Sequence, residues 1–291
     1  MSSKPACYDE RISPLVRLFV ERSGLGLSTK PEDVMMNLIE RVRRVGHSKK
    51  HIDPIQLFLD ERNIKRVQLL PELKCDGFIE PAGSTFADGF TMVLKKGATE
   101  PRMRFTMAHE ICHTFFYELV PALKFVPHSP DQYEERLCNI GAAALLMPAA
   151  ALKRRAKNLP VCLESLHSLS EDFSVSLPTM AIRLKALGIW RCEFSRWRRM
   201  LNGTFVLDQF YGGRRAEWSW DDNSILTLAW DSNKPLIGRT FVSYEDRLGT
   251  RRYKPIAYQV RRSMDGITAL WANSISSKPL SAALPLFIKK K

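Results

Sequence analysis

Five residues near the middle of the chain, His109-Glu110-Ile-Cys-His113, combine side chains that hold a divalent metal with one that can move a proton. Histidines four apart project from one face of a helix, a turn from each other, so both imidazoles can meet the same ion. Glu110 follows the first histidine and reaches a water at that ion instead of the ion itself. Zinc brings the pKa of such a water to about 7, and a neighbouring carboxylate can take its proton as it attacks a peptide carbonyl. Two surface histidines on an amphipathic helix are the plainer alternative. Against it, Phe105, Ala108, Ile111, Cys112, Phe115 and Phe116 give the segment the pattern of a buried helix. Cys112 falls on a different face from the two histidines and reads as core.

A catalytic zinc needs a third protein ligand and an open position. No Gly-x-x-His follows His113, so a third histidine at that spacing is excluded. The next helical run offers Glu134 and Glu135 at the head of an apolar stretch that ends at Pro148. Cys138 and Asn139 lie three and four positions after Glu135 and share its side of the helix, which tilts the choice to Glu135. The other carboxylate is then expected to be an exposed acid that favours the helix N-terminus. Tyr117, His128 and Tyr133 are candidates to stabilise an oxyanion, with Tyr117 four residues after His113. Zinc is the default for a His/His/Glu set, and manganese is the second choice.

These residues must be carried by regular elements. Helices are expected over Ile12–Val20, Val34–Val45 and from Asp53-Pro54, where Asp53 caps and Pro54 occupies the first turn. Strands are expected over Gly77–Ile79 and Gly89–Leu94, then helices over Arg104–Leu119 and Gln132–Met147. Two shorter helices, Cys162–Phe173 and Thr179–Leu187, flank a turn with a capping serine, and Gly188 ends the second. Beyond Leu201 the pattern alternates: Thr204–Leu207, Ser224–Leu228, Arg239–Ser243 and Ile256–Val260 read as strands. Turns are expected at Gly212-Gly213 and Gly249. An apolar stretch from Ala282 to Ile288 precedes a lysine tail.

The run Arg104-Phe-Thr-Met-Ala-His-Glu-Ile-Cys-His113, followed by Glu135-Arg-Leu-Cys-Asn139-Ile-Gly-Ala-Ala-Ala-Leu-Leu-Met-Pro148, resembles the ImmA/IrrE family of metallopeptidases. In that family's pattern the third ligand is the Glu four before the Asn, which is Glu135 here. Cys138 stands where the pattern has Ala, and Gly141 where it has Phe; both are packing positions. The likeness extends over roughly residues 30 to 190. It implies a zincin-like α+β fold, a zinc endopeptidase with His109, His113 and Glu135 as ligands and Glu110 as base, and a helix-turn-helix transcriptional repressor as substrate in a stress or mobile-element response. The radiation-response members are similar in layout. That layout gives a metallopeptidase domain over 1–155, a helix-turn-helix-like segment over 156–200 and a β-rich, GAF-like sensor module over 201–291.

Charge is distributed unevenly. The 291 residues carry a net charge of +13. Residues 1–150 hold 20 basic and 19 acidic side chains, whereas 151–291 hold 24 and 12, and all six tryptophans lie in the second half. Such asymmetry fits a near-neutral unit joined to one that meets a polyanion. Arg183 and Lys185 on a short recognition-like helix, and Arg196, Arg198 and Arg199 among aromatic residues, are the candidate nucleic-acid contacts. A brace for the peptidase fold is the plainer account of the helix, and an amphipathic helix docking the β-rich module is an equal account of 191–199. A DNA-binding regulator that acts by contact, with a structural metal site, is the rival function. An apolar content of 45% excludes wholesale disorder. The longest apolar run, Ile140–Leu152, is short of a membrane span and contains Pro148. No signal-peptide core precedes Asp9-Glu10-Arg11, and the six cysteines form no C-x-x-C pair, so a reducing, cytoplasmic setting with no membrane partner is expected.

Overall fold

The computed structural model describes residues 13–26, 29–46, 53–121, 131–211, 223–245, 251–264 and 266–275. His128, the turns at Gly212-Gly213 and Gly249, and the Ala282–Ile288 stretch lie outside the described residues. The fold is α+β, with two compact units, Met1–Pro148 and Ala149–Lys291.

The first unit begins with three helices, α1 (Pro14–Arg22), α2 (Pro31–Gly46) and α3 (Pro54–Glu61). Ser13 and Asp53 cap α1 and α3 by accepting from Val16 N–H and Ile55 N–H, and proline opens each helix, where no N–H is missed. A three-stranded sheet follows: β1 (Ile64–Leu70), β2 (Gly77–Pro81) and β3 (Phe90–Lys95), in the order β1-β3-β2. β1 runs parallel and β2 antiparallel to β3. The central strand is apolar and buried through Phe90–Leu94. β1 escaped the sequence reading because its charged residues Lys65 and Arg66 blur the alternation of an edge strand. Gly89, at φ 100°, turns the chain into β3, and a Cβ there would meet the Asn63 carbonyl at 2.8 Å.

Two long helices complete this unit, α4 (Glu100–Tyr117) and α5 (Gln132–Leu146). The second half of α4 is buried on nearly all sides. Phe116 stacks on Phe19 at 4.4 Å, and the Arg62 guanidinium lies 4.1 Å from the Phe115 ring. Pro148 follows α5 and ends it. Gly141 on α5 has a packing reason: a Cβ there would meet Cys112 Sγ at 2.6 Å and Met35 at 3.0 Å. Here Cys112 and Met35 fill the space beside a bare backbone. Gly141→Ala is therefore expected to cost about 1–3 kcal/mol through overpacking. Cys112→Ala in the same chain should recover part of that loss, read as the denaturant midpoint. Strict additivity of the two changes would contradict this account.

The second unit starts with α6 (Ala149–Ala156), α7 (Leu163–Asp172) and α8 (Leu177–Ala186). Ser176 caps α8 by accepting from Thr179 N–H, and Gly188 follows its end at φ 64°. Strands β4 (Cys192–Arg199) and β5 (Phe205–Tyr211), helix α9 (Asn223–Ser232), and strands β6 (Leu236–Glu245), β7 (Arg251–Ser263) and β8 (Gly266–Ala272) make the rest. The sheet is antiparallel, in the order β5-β4-β8-β7-β6.

Two sequence expectations fail in this unit. Ser224–Leu228 is helical: Leu226 and Ala229, three apart, are buried against Trp197, Ile267 and Trp271, with Ile225 and Trp230 beside them. The five residues Ser-Ile-Leu-Thr-Leu fit both periods, and packing on the sheet selects the helix. Residues 192–199 are a strand, not an amphipathic helix. Phe194 and Trp197 are core, so they offer no open face to a stacked base.

Candidate metal centre

Helix α4 places His109 and His113 one turn apart, and the first turn of α5 brings Glu135 to both. The Nε2 atoms of His109 and His113 are 3.1 Å apart. Glu135 Oε2 lies 3.2 Å from His109 Nε2, and its Oε1 lies 3.4 Å from His113 Nε2. With metal–ligand bonds of about 2.0–2.2 Å, tetrahedral ligands sit about 3.3–3.6 Å from one another. The three separations come close to such a triangle, so the donor set fits a divalent ion of the zinc type.

The outer nitrogens of both rings are also engaged. His113 Nδ1 donates to Glu134 Oε1 at 2.7 Å, and His109 Nδ1 to Asn139 Oδ1 at 3.2 Å. Each contact favours the tautomer that leaves the Nε2 lone pair facing the common point. Glu134 thus departs from the expectation of an exposed helix-dipole acid: it is 3% exposed. Adjacent residues on a helix point about 100° apart, so Glu134 and Glu135 grip opposite nitrogens of one imidazole. The sequence carried this signal as the doubled Glu-Glu, but a pattern of one ligand per helix face hides it.

The charges follow from the packing. Burial pushes the Glu110 carboxyl up; His113 and His109 oppose the rise, and Glu135 and Glu134 add to it. Glu135 is held well below the usual carboxylate range by its hydrogen bonds to His109 and His113. Burial alone would lower His113, but Cys138, Glu134 and Glu135 more than offset it, so its pKa is raised well above the ordinary value. Protonation of His113 therefore competes with metal binding. Metal affinity is expected to rise with pH until His113 loses that proton. Calorimetry in buffers of different ionisation enthalpy should show proton release; an affinity independent of pH between about 6 and 8 would contradict it.

The triad lies in a cleft of about 740 Å³, which Glu110, Phe105, Tyr117 and β2 residues Gly77–Ile79 also line. Phe105, expected in the core, instead forms part of the cleft wall. Tyr117 is buried, with its ring stacked 5.7 Å from His113 and 5.1 Å from Phe86. Burial raises its hydroxyl pKa, and Glu134 adds to the rise. Tyr133 donates its hydroxyl to Glu32 at 3.2 Å and does not line the cleft. Cys112 is buried, as the helical face implied.

The candidate nucleic-acid residues lie elsewhere, in the second unit. Arg183 is 6% exposed and Lys185 pairs with Glu193 at 3.3 Å, so neither guanidinium nor ammonium is simply open to a phosphate. Met180 and Leu184 are core, but Ile182 is 46% exposed. Arg198 and Arg199 are exposed at the end of β4, and Arg196 is half-buried.

Residues 81–185 match the M78 peptidase family, described as the IrrE N-terminal-like domain. That span is similar to the peptidase domain of the ImmA/IrrE family. The matched span contains His109, Glu110, His113 and Glu135, and three of these, His109, His113 and Glu135, form the ligand cluster. No curated protein matches the chain. Among solved structures, a Mycobacterium tuberculosis transcriptional regulator is similar at 13% identity, over 89% of this chain and 79% of that chain, with a TM-score of 0.45. At that score neither fold nor function is taken from it. Among the described residues, no helix is long and apolar enough to cross a membrane.

Proposed function

We propose that this chain is a cytoplasmic zinc-dependent endopeptidase that cuts a helix-turn-helix transcriptional repressor and so relieves repression in a stress or mobile-element response. The observation that carries the reading is the convergence of His109, His113 and Glu135 in a cleft whose wall also holds the buried Glu110. A divalent ion held by these three side chains would supply Lewis acidity, lowering the pKa of a water toward about 7 and polarising a carbonyl. The protein does the rest. Glu110 accepts the proton of the attacking water and returns it to the leaving amine. Glu134 and Asn139 keep the two imidazoles in register. Tyr117 is the candidate donor to the oxyanion, once its hydroxyl turns from Glu134 toward substrate.

That the substrate is a polypeptide is supported by β2. Among the described residues it pairs only with β3 and so is an edge of its sheet, and its residues Gly77–Ile79 line the cleft. An extended peptide can add to such an edge by main-chain hydrogen bonds. Incubation with a candidate helix-turn-helix repressor, followed by intact-mass analysis, tests the reading. One metal-dependent cut is expected; an uncut repressor that is nonetheless displaced would favour regulation by contact.

The basic second half is assigned contact with nucleic acid, which would bring protease and repressor to one place. Its net charge of +12 over residues 151–291 supports this. The layout implied by the family, a helical segment over 156–200 and a GAF-like sensor over 201–291, is part of this reading, with β4 at Cys192–Arg199 belonging to the C-terminal sheet and not to the helices.

A further inference from the structure

We propose that the edge of the C-terminal sheet where β4 and β7 end binds the phosphates of a nucleic acid through arginines organised around Trp230. The proposal rests on the nucleic-acid reading above and gives that contact a location. The sequence separates these side chains by up to 66 positions; strand pairing brings them together. Arg196, Thr268 and Arg261 stand in one row across β4, β8 and β7, and Trp197, Ile267 and Arg262 in the next. Neighbours in a row share a face and successive rows alternate. Arg199 and Arg262 therefore lie on the α9 face, and Arg198 and Arg261 on the other.

On the α9 face, the Arg262 guanidinium sits 4.0 Å and that of Arg199 5.1 Å from the Trp230 ring. Arg262 also donates to the Trp230 carbonyl at 3.2 Å. A guanidinium resting on an aromatic face keeps its charge and its edge N–H donors, and it loses less freedom when an anion arrives. Beside it, Arg198, Arg199, Met200, Leu201 and Trp230 line a cleft of about 530 Å³.

Several basic side chains of the chain are tied up by acids, and these arginines are not among them. Among the described residues, Arg102 pairs with Asp76, Arg136 with Glu32, Arg155 with Asp172 and Lys185 with Glu193. Arg198, Arg199, Arg261 and Arg262 form no ion pair there, although Asp208 and Asp231 are on neighbouring elements. A single small anion would be held by donors that converge. Here the charges run along an edge and over both faces, which suits a row of phosphates. With guanidiniums on Trp230, the contact is to backbone and tolerant of base sequence.

The test uses the full chain and a labelled mixed-sequence DNA duplex of ~20 base pairs, titrated between about 50 and 200 mM salt. Wild type should bind with an affinity that falls steeply with salt. Arg199→Gln with Arg262→Gln should lower the salt slope by about 2 and the affinity by tenfold or more. The corresponding lysine pair should keep the slope. Arg198→Gln with Arg261→Gln, which leaves Trp230 untouched, should repeat the loss if the surface and not the local packing matters. Lys153→Gln with Arg154→Gln should change neither quantity. If wild type binds and both arginine pairs retain its slope, the location is overturned while the nucleic-acid reading stands. If wild type does not bind at low salt, that reading falls and the location with it. Complete displacement of the duplex by millimolar inorganic phosphate would also overturn the proposal, in favour of a small-anion site.

Discussion

Replacing Glu110 by Gln should leave the fold and the metal in place and reduce peptide cleavage by about 10²- to 10⁴-fold, the usual worth of a general base. Gln has nearly the shape of Glu, so α4 can pack as before. The three groups that approach one another as ligands, His109, His113 and Glu135, are untouched. What is lost is proton affinity. Burial raises the Glu110 carboxyl toward the range in which a carboxylate takes a proton and gives it back. An amide does neither at neutral pH. The change also removes a buried charge, so the thermal midpoint should hold or rise slightly. Metal content, midpoint and single-turnover cleavage of the repressor measure the three parts. A variant that keeps wild-type cleavage would remove Glu110 from the chemistry. One that loses its metal would make Glu110 part of the ion's support.

The His-Glu-x-x-His core of this centre was legible because its chemistry follows from helical spacing alone. The third ligand needed more. Glu134 and Glu135 both suit the start of α5, and a sequence cannot show which one turns to the Nε2 side of His113. In the structure both are used, with Glu134 on Nδ1 and Glu135 near Nε2. Helices with proline or serine starts, such as α1, α3 and α8, were also readable, since capping is local. The failures were non-local. Edge strand β1 is recognised only beside β3, and α9 is helical because Leu226 and Ala229 meet a sheet assembled from residues on both sides of it in the chain. The arginine edge is of the same kind: Arg199 and Arg262 become neighbours only through β8.

Glu135→Gln and Glu134→Gln should separate the two carboxylates by the size of their effect on metal binding. Glu135→Gln replaces an anionic ligand with a weakly donating amide, and zinc retention against a competing chelator should fall by orders of magnitude. Glu134→Gln keeps an acceptor near His113 Nδ1 but removes its charge. Outer partners of ligating histidines are typically worth 10- to 100-fold in affinity, and Glu134 should fall in that range. Glu134→Ala should lie at its far end and also destabilise the metal-free protein, because a buried Nδ1–H loses its partner. If Glu134→Gln strips the metal while Glu135→Gln retains it, the ligand assignment is reversed.

The most direct measurement of the central claim is a map of new protein N-termini in cells that carry the wild-type chain or Glu110→Gln, before and after the response is induced. The proposed function predicts one new terminus within a helix-turn-helix repressor, present with wild type and absent with Glu110→Gln. Identical termini in the two strains, with repression relieved equally in both, would contradict it and leave the metal centre a structural clamp in a regulator that acts by contact.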